Sequence, residues 1–215
     1  MTAPAPAPPP SDPDAADAFA AARRRGRSAR SAMAPEQRAV ATAAVHRALV
    51  ALDELRAPTG SGRVALSRAL PGELDLGAAA EDLRRRGWTT WLPVVDPDPP
   101  AGAPSMAFRE WRPEDTLVVG AFRIEEPPAD GRPDVAAEAL DVVVVPCLAV
   151  DLDGTRVGFG AGYYDRALAD RRRRPLVVVA AFDAQVEPAL LPRRPWDVPG
   201  DVVVTDRRTV RTGRR

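Results

Sequence analysis

The stretch VVVVPCLAVDLDGTRVGFGAGYYDRAL, residues 142–168, decides the reading of this chain. Val142-Val143-Val144-Val145 is its most apolar run, as expected of a central strand buried on both faces. Glycines follow at 158, 160 and 162, just before a helix expected to begin around Tyr163–Asp165. Alternate glycines let a backbone turn its N–H groups inward without Cβ obstruction, and a helix N-terminus adds partial positive charge. A loop of this kind beyond the carboxyl end of a buried strand is where an open α/β sheet binds phosphorylated ligands. Arg156 offers a fixed charge to a phosphate, and Asp165 a carboxylate either for Mg²⁺ or for backbone donors. The three glycines match neither the Rossmann spacing nor a P-loop, and glycine-rich turns also join strands to helices with no ligand at all.

Working outward, the pattern alternates strands with helices. Leu176–Ala181 is a second all-apolar strand and Val202–Val204 a third. Val64–Leu66, a helix over Leu76–Arg86 closed by Gly87, and Thr89–Leu92 form a βαβ unit. Ser105–Trp111 reads as a further strand. Ala/Arg-rich residues 14–30 and the segment from Ala34-Pro35-Glu36 to Leu55 read as helices. The expected fold is therefore a three-layer α/β/α domain whose mixed, mainly parallel sheet carries helices on both faces. The Ala/Pro tract at residues 1–13 is expected to be a disordered tail. The single domain spans 14–207, and residues 208–215 form a basic, frayed end.

Composition narrows the chemistry. Thirty basic residues balance thirty acidic ones among 215, which argues against a non-specific nucleic-acid binder. Every basic residue is arginine, so lysine chemistry is excluded. One cysteine excludes an internal disulfide, one histidine excludes a multi-His metal site, and no apolar run reaches the ~18 residues of a membrane span. A cytoplasmic monomer without nucleic-acid or membrane partners is the expectation. His46 and Cys147 have no local chemical partner and read as packing residues.

The string R-V-G-F-G-A-G-Y-Y-D at 156–165, after a strand ending in Val-Pro, resembles the hallmark of the 5-formyltetrahydrofolate cyclo-ligases. Phe182-Asp183-x-Gln185, Asp197-Val-Pro-x-Asp201-x-Val-Val-Thr205, Gly120-Ala-Phe122-x-Ile124-x-Glu126-Pro127 and Glu73-Leu-Asp75 resemble further motifs of that family, over roughly residues 19 to 207. The resemblance implies ATP as co-substrate, Mg²⁺, and transfer of the γ-phosphoryl group to the formyl oxygen of 5-formyltetrahydrofolate. N10 then attacks, giving 5,10-methenyltetrahydrofolate, ADP and phosphate. It implies Arg156 and Tyr163 at the catalytic centre. Around ATP it implies Arg23, Arg156, Gly158, Phe159, Gly160, Ala161, Gly162, Tyr163 and Tyr164. Glu73, Phe122 and Tyr164 would meet the folate, and Asp165 and Asp201 would hold the magnesium. Phe19 stands where the family carries a lysine, so Arg23, aided by Arg27, is expected to supply the missing charge. The alternative is a protein of family shape whose reaction is lost or altered.

Overall fold

The four valines do form the middle strand of a seven-stranded sheet in the computed structural model, which describes residues 13–58, 60–99, 105–170 and 174–213. The chain runs α1 (Pro13–Ser31), α2 (Pro35–Val50), β1 (Arg63–Ala65), α3 (Gly77–Arg85), β2 (Thr89–Val95) and β3 (Met106–Glu110). It continues with β4 (Val118–Val119), β5 (Glu125–Glu126), β6 (Val142–Val145), β7 (Ala149–Val150), β8 (Arg156–Val157) and α4 (Tyr163–Ala167). The last elements are β9 (Leu176–Ala180), β10 (Val202–Val204) and β11 (Thr209–Arg211).

The sheet order is β11-β10-β9-β6-β1-β2-β3. The five inner strands pair in parallel, and β3 and β11 close the edges antiparallel. Alternation along β6 explains why its valines are continuous. Val142 and Val144 face a core built with Val45 and Leu49 of α2 and Leu83 of α3, while Val143 and Val145 face Phe108, Leu168 and Val177 on the other side. Both faces are covered, as a parallel sheet requires. Pro35 starts α2 at a position that needs no intrahelical donor, and the Gln37 side chain accepts the Ala34 N–H at 3.1 Å.

Two expectations change. The chain after β6, expected to be a glycine-rich loop and a helix, is not simply that over its described residues up to 170. β7 and β8 form an antiparallel hairpin beyond β6, tied back by Leu148 N–H donating to Val157 at 2.8 Å, and α4 has only five residues. The basic end is not frayed at 209–211, because β11 pairs with β10 and Arg211 bridges Glu54 at 2.6 Å. The expected 1–13 tail lies outside the described residues except for Pro13, which begins α1.

α1 packs on the β7–β8 hairpin rather than on the main sheet, through Phe19 and Ala22 against Ala149, Val157 and Leu191. Gly26 makes that approach possible. A Cβ there would stand 1.9 Å from the Leu148 carbonyl oxygen.

Candidate active site

The hairpin returns the chain to the carboxyl end of β6, where the glycine loop 158–162 begins. Gly160 and Gly162 sit at φ +107° and +69°, conformations that side-chain-bearing residues rarely adopt. Gly158 opens onto empty space. Against this loop α1 presents Arg23, whose Nε donates to the Gly158 carbonyl at 2.9 Å and whose guanidinium lies 3.3 Å from where a Gly160 Cβ would be. Arg27, one turn on, lies 5.8 Å from the centroid of the Phe159 ring at the exposed loop tip. Arg194 arrives from the segment before β10 and stacks 4.5 Å from the Phe19 ring. Burial, then the charges of Arg194 and Arg27, hold the Arg23 guanidinium below its usual range. With α4 only five residues long, helix polarity adds little here, and the positive field comes from arginines.

Arg156 does not point at the loop cavity. Its largely buried guanidinium turns inward, donating to Asp165 at 2.8 Å and to the Val198 carbonyl. Asp165 Oδ1 also accepts the Val198 N–H at 3.1 Å, so the pair fastens α4 to the segment 194–198. Asp201 is placed differently from the expected magnesium pair. It sits at the amino end of β10, where its carboxylate accepts from the Val177 N–H at 2.9 Å and from Arg174, at the opposite end of the parallel strands from the loop. The carboxylate within electrostatic reach of Asp165 is instead Asp197. Desolvation, and less strongly the Asp165 charge, pushes its carboxyl up. Among the described residues no three acidic, histidine or cysteine side chains form a metal-holding group.

Both tyrosines are half-buried against the core on the β3 side of the sheet. The Tyr163 ring also lies 5.7 Å from Phe122 and 5.0 Å from the Arg166 guanidinium. Desolvation raises the Tyr164 hydroxyl above the usual range. Phe122 is 57% exposed at φ +57°, followed by Arg123 at +60°; two adjacent left-handed residues without glycine mark a strained turn. Glu73 borders a small cavity of about 20 Å³ with Arg30, Ser67, Pro146, Cys147 and Gln185. Arg30 of α1 donates to Glu73 at 2.9 Å, and the Leu70 N–H donates to its second oxygen at 3.1 Å. Gln185 Nε2 pins the Cys147 and Leu148 carbonyls at 2.9 and 3.0 Å. Cys147 is buried and its thiol is pushed up to about 12, so it is no nucleophile. His46 lies between α2 and α3, 3.7 Å from Asp82, away from this region.

Fold and site together define a mainly parallel α/β protein with an arginine-lined glycine loop beside a small carboxylate-bordered cavity, at the carboxyl edge of the sheet. The profile of the 5-formyltetrahydrofolate cyclo-ligase family matches residues 17–206, and the chain belongs to that family. It is 36% identical over 143 residues to the 5-formyltetrahydrofolate cyclo-ligase of Escherichia coli K12, covering 66% of this chain and 76% of that one. With the Mycolicibacterium smegmatis cyclo-ligase it shares 35% over 141 residues, covering 65% and 70%. The solved structure of Aquifex aeolicus 5,10-methenyltetrahydrofolate synthetase superposes with a TM-score of 0.72 at 32% identity, covering 92% of this chain and 95% of that one. Arg194 and Arg30 are site residues that local pattern did not single out, and Asp197 was quoted only as the first residue of a motif, without a role.

Proposed function

We infer that this chain is a 5-formyltetrahydrofolate cyclo-ligase, converting 5-formyltetrahydrofolate and ATP into 5,10-methenyltetrahydrofolate, ADP and phosphate. The observation that carries this reading is the adjacency of two unlike sites reached by one helix. Arg23 of α1 touches the glycine loop, and Arg30, two turns on, touches Glu73. Phosphoryl transfer to a formyl oxygen needs a triphosphate and a folate side by side, with charge neutralisation rather than a strong base. The arginines and open glycines suit the phosphates. Glu73 suits the ring N–H donors of a pterin, and Phe122 and Tyr163, tilted 55° to each other, offer aromatic surface beside the loop.

Mg²⁺ accompanies the nucleotide in this reading. Two carboxylates beside the loop, Asp165 and Asp197, fit a hard cation that receives its remaining oxygens from phosphate and water, and bound there it would neutralise phosphate charge. Arg156 acts by positioning Asp165 and α4. The partners we assign are the two small molecules, with the chain acting as a cytoplasmic monomer. The balanced charge speaks against nucleic acid, and no helix among the described residues is long and apolar enough to cross a membrane.

The test is turnover monitored by methenyltetrahydrofolate absorbance, with two variants. Gly158→Val adds a branched side chain into open space, so the fold should stand while ATP affinity falls about tenfold or more. Glu73→Gln should raise the KM for 5-formyltetrahydrofolate about tenfold and leave that for ATP unchanged. A folded wild type that binds ATP and forms no methenyl product overturns the assignment.

A further inference from the structure

Arg23, Arg27 and Arg194 gather at one place, and the carboxylate that acts on them, Asp197, reaches Arg194 through space and its backbone N–H rather than through an ion pair. Phe19, Arg23 and Arg27 occupy successive turns of one face of α1. Arg23 holds the loop through Gly158, Arg27 lies 5.8 Å from the Phe159 ring, and Arg194 lies over the Phe19 ring at 4.5 Å. Among the described residues none of the three makes an ion pair, although arginine–carboxylate pairs are found throughout the rest of the fold. Like charges brought together and left unpaired repel one another, and the depressed proton affinity of Arg23 reflects that repulsion as well as burial. Such a cluster is stabilised only when a multiply charged anion enters it.

Arg194 differs from the other two in how it is held. Its backbone N–H is fixed by the Asp197 carboxylate at 2.8 Å, and its guanidinium rests on the aromatic faces of Phe19 and Trp196. Phe19 is only 4% exposed beneath it, so the ring is a rigid apolar platform that orients the guanidinium and leaves its N–H edges uncommitted. We propose that Arg194 is a phosphate-binding residue: it delivers to the glycine loop, from the segment before β10, a third cation for the nucleotide's polyphosphate. This explains how position 19 can be apolar in a chain without lysine, since the ring there carries a cation instead of being one. The proposal rests on the glycine loop being the nucleotide phosphate site.

The experiment compares wild type, Arg194→Gln and Arg23→Gln by calorimetric titration with ATP and with AMP, at two salt concentrations, with thermal unfolding as the control. Arg194→Gln is expected to weaken ATP about tenfold or more, AMP by less than about twofold, and to flatten the salt dependence of ATP binding. A residue that merely covers Phe19 would weaken both nucleotides together or neither. Unchanged ATP binding in Arg194→Gln, or parallel losses for ATP and AMP, while Arg23→Gln loses ATP selectively, overturns the role of Arg194 and leaves the loop assignment standing. If Arg23→Gln also binds ATP like the wild type, the loop is not the phosphate site and both readings fall.

Discussion

Arg156 carries the most prominent charge of the hallmark string, and the fold spends it on structure. A guanidinium with its side chain 6% exposed finds Asp165 and the Val198 carbonyl, which together satisfy both terminal nitrogens. Removing it leaves a carboxylate and a carbonyl without their donor, a loss of about 2–3 kcal/mol for groups this enclosed. Arg156→Ala should therefore lower stability in denaturant titration by that amount and reduce kcat through a loosened α4. Its effect on ATP affinity should be smaller than that of Arg23→Gln. An ATP affinity lost as steeply as in Arg23→Gln, with stability intact, would return Arg156 to the phosphates. Phe19 illustrates the same point from the other side. Sequence comparison marks it as a missing cation, whereas the folded chain uses it as the floor beneath one.

At the scale of elements, α1 matters most, because it touches both halves of the site through Arg23 and Arg30. Its register on the hairpin is set by Gly26, where helix and Leu148 carbonyl meet with no room for a methyl group. Gly26→Ala must push α1 outward by an ångström or more, costing about 1–3 kcal/mol, and it displaces Arg23 and Arg30 together. The KM values for both substrates should rise, whereas Gly213→Ala, with open space around it, should change neither. Elements also show where sequence reading succeeds. Apolar runs at 142–145, 176–180 and 202–204 are legible because burial on both faces demands continuous apolarity, and the βαβ unit because its period switches. The β7–β8 hairpin escaped because two-residue strands carry no period, and β11 because an edge strand of Thr-Val-Arg reads as polar tail. The glycine loop was legible from spacing as a turn before a helix, and as a phosphate site only through the resemblance of the whole string at 156–165. Arg194 was not, because its partner Phe19 lies on another element and only the fold brings them together.

Over the whole molecule the thirty basic residues are all arginine, and among the described ones Arg109, Arg132, Arg208 and Arg211 each grip an acidic residue through two nitrogens; such pairs bear on how stability depends on pH. Asp115 is gripped by both terminal nitrogens of Arg132 at 2.8 Å, with side chains 6% and 8% exposed, and its carboxyl is held below the usual range by that contact. A carboxyl depressed in the folded state contributes stability that is fully present above its unfolded pKa, about 4, and is lost as pH falls through the folded value. Glu126 is the opposite case. It accepts the Val95 N–H at 3.1 Å, but burial dominates and pushes its carboxyl up. Its contribution is present below the unfolded value and lost as pH rises through the folded one. The two substitutions should therefore move in opposite directions. Asp115→Asn should cost about 3 kcal/mol at pH 7, because both terminal nitrogens of a buried guanidinium lose their carboxylate and Asp130 holds only Nε, at 2.7 Å, and the deficit should narrow toward pH 3 as the wild type loses the same interaction. Glu126→Gln should raise Tm at pH 7 and lose that advantage below about pH 4, where the wild-type carboxyl is already neutral. Thermal unfolding of the three proteins between pH 3 and 8 measures both slopes. Parallel curves for wild type and Asp115→Asn would mean that the existing Arg132–Asp130 pair, 2.7 Å through Nε, suffices to hold the guanidinium.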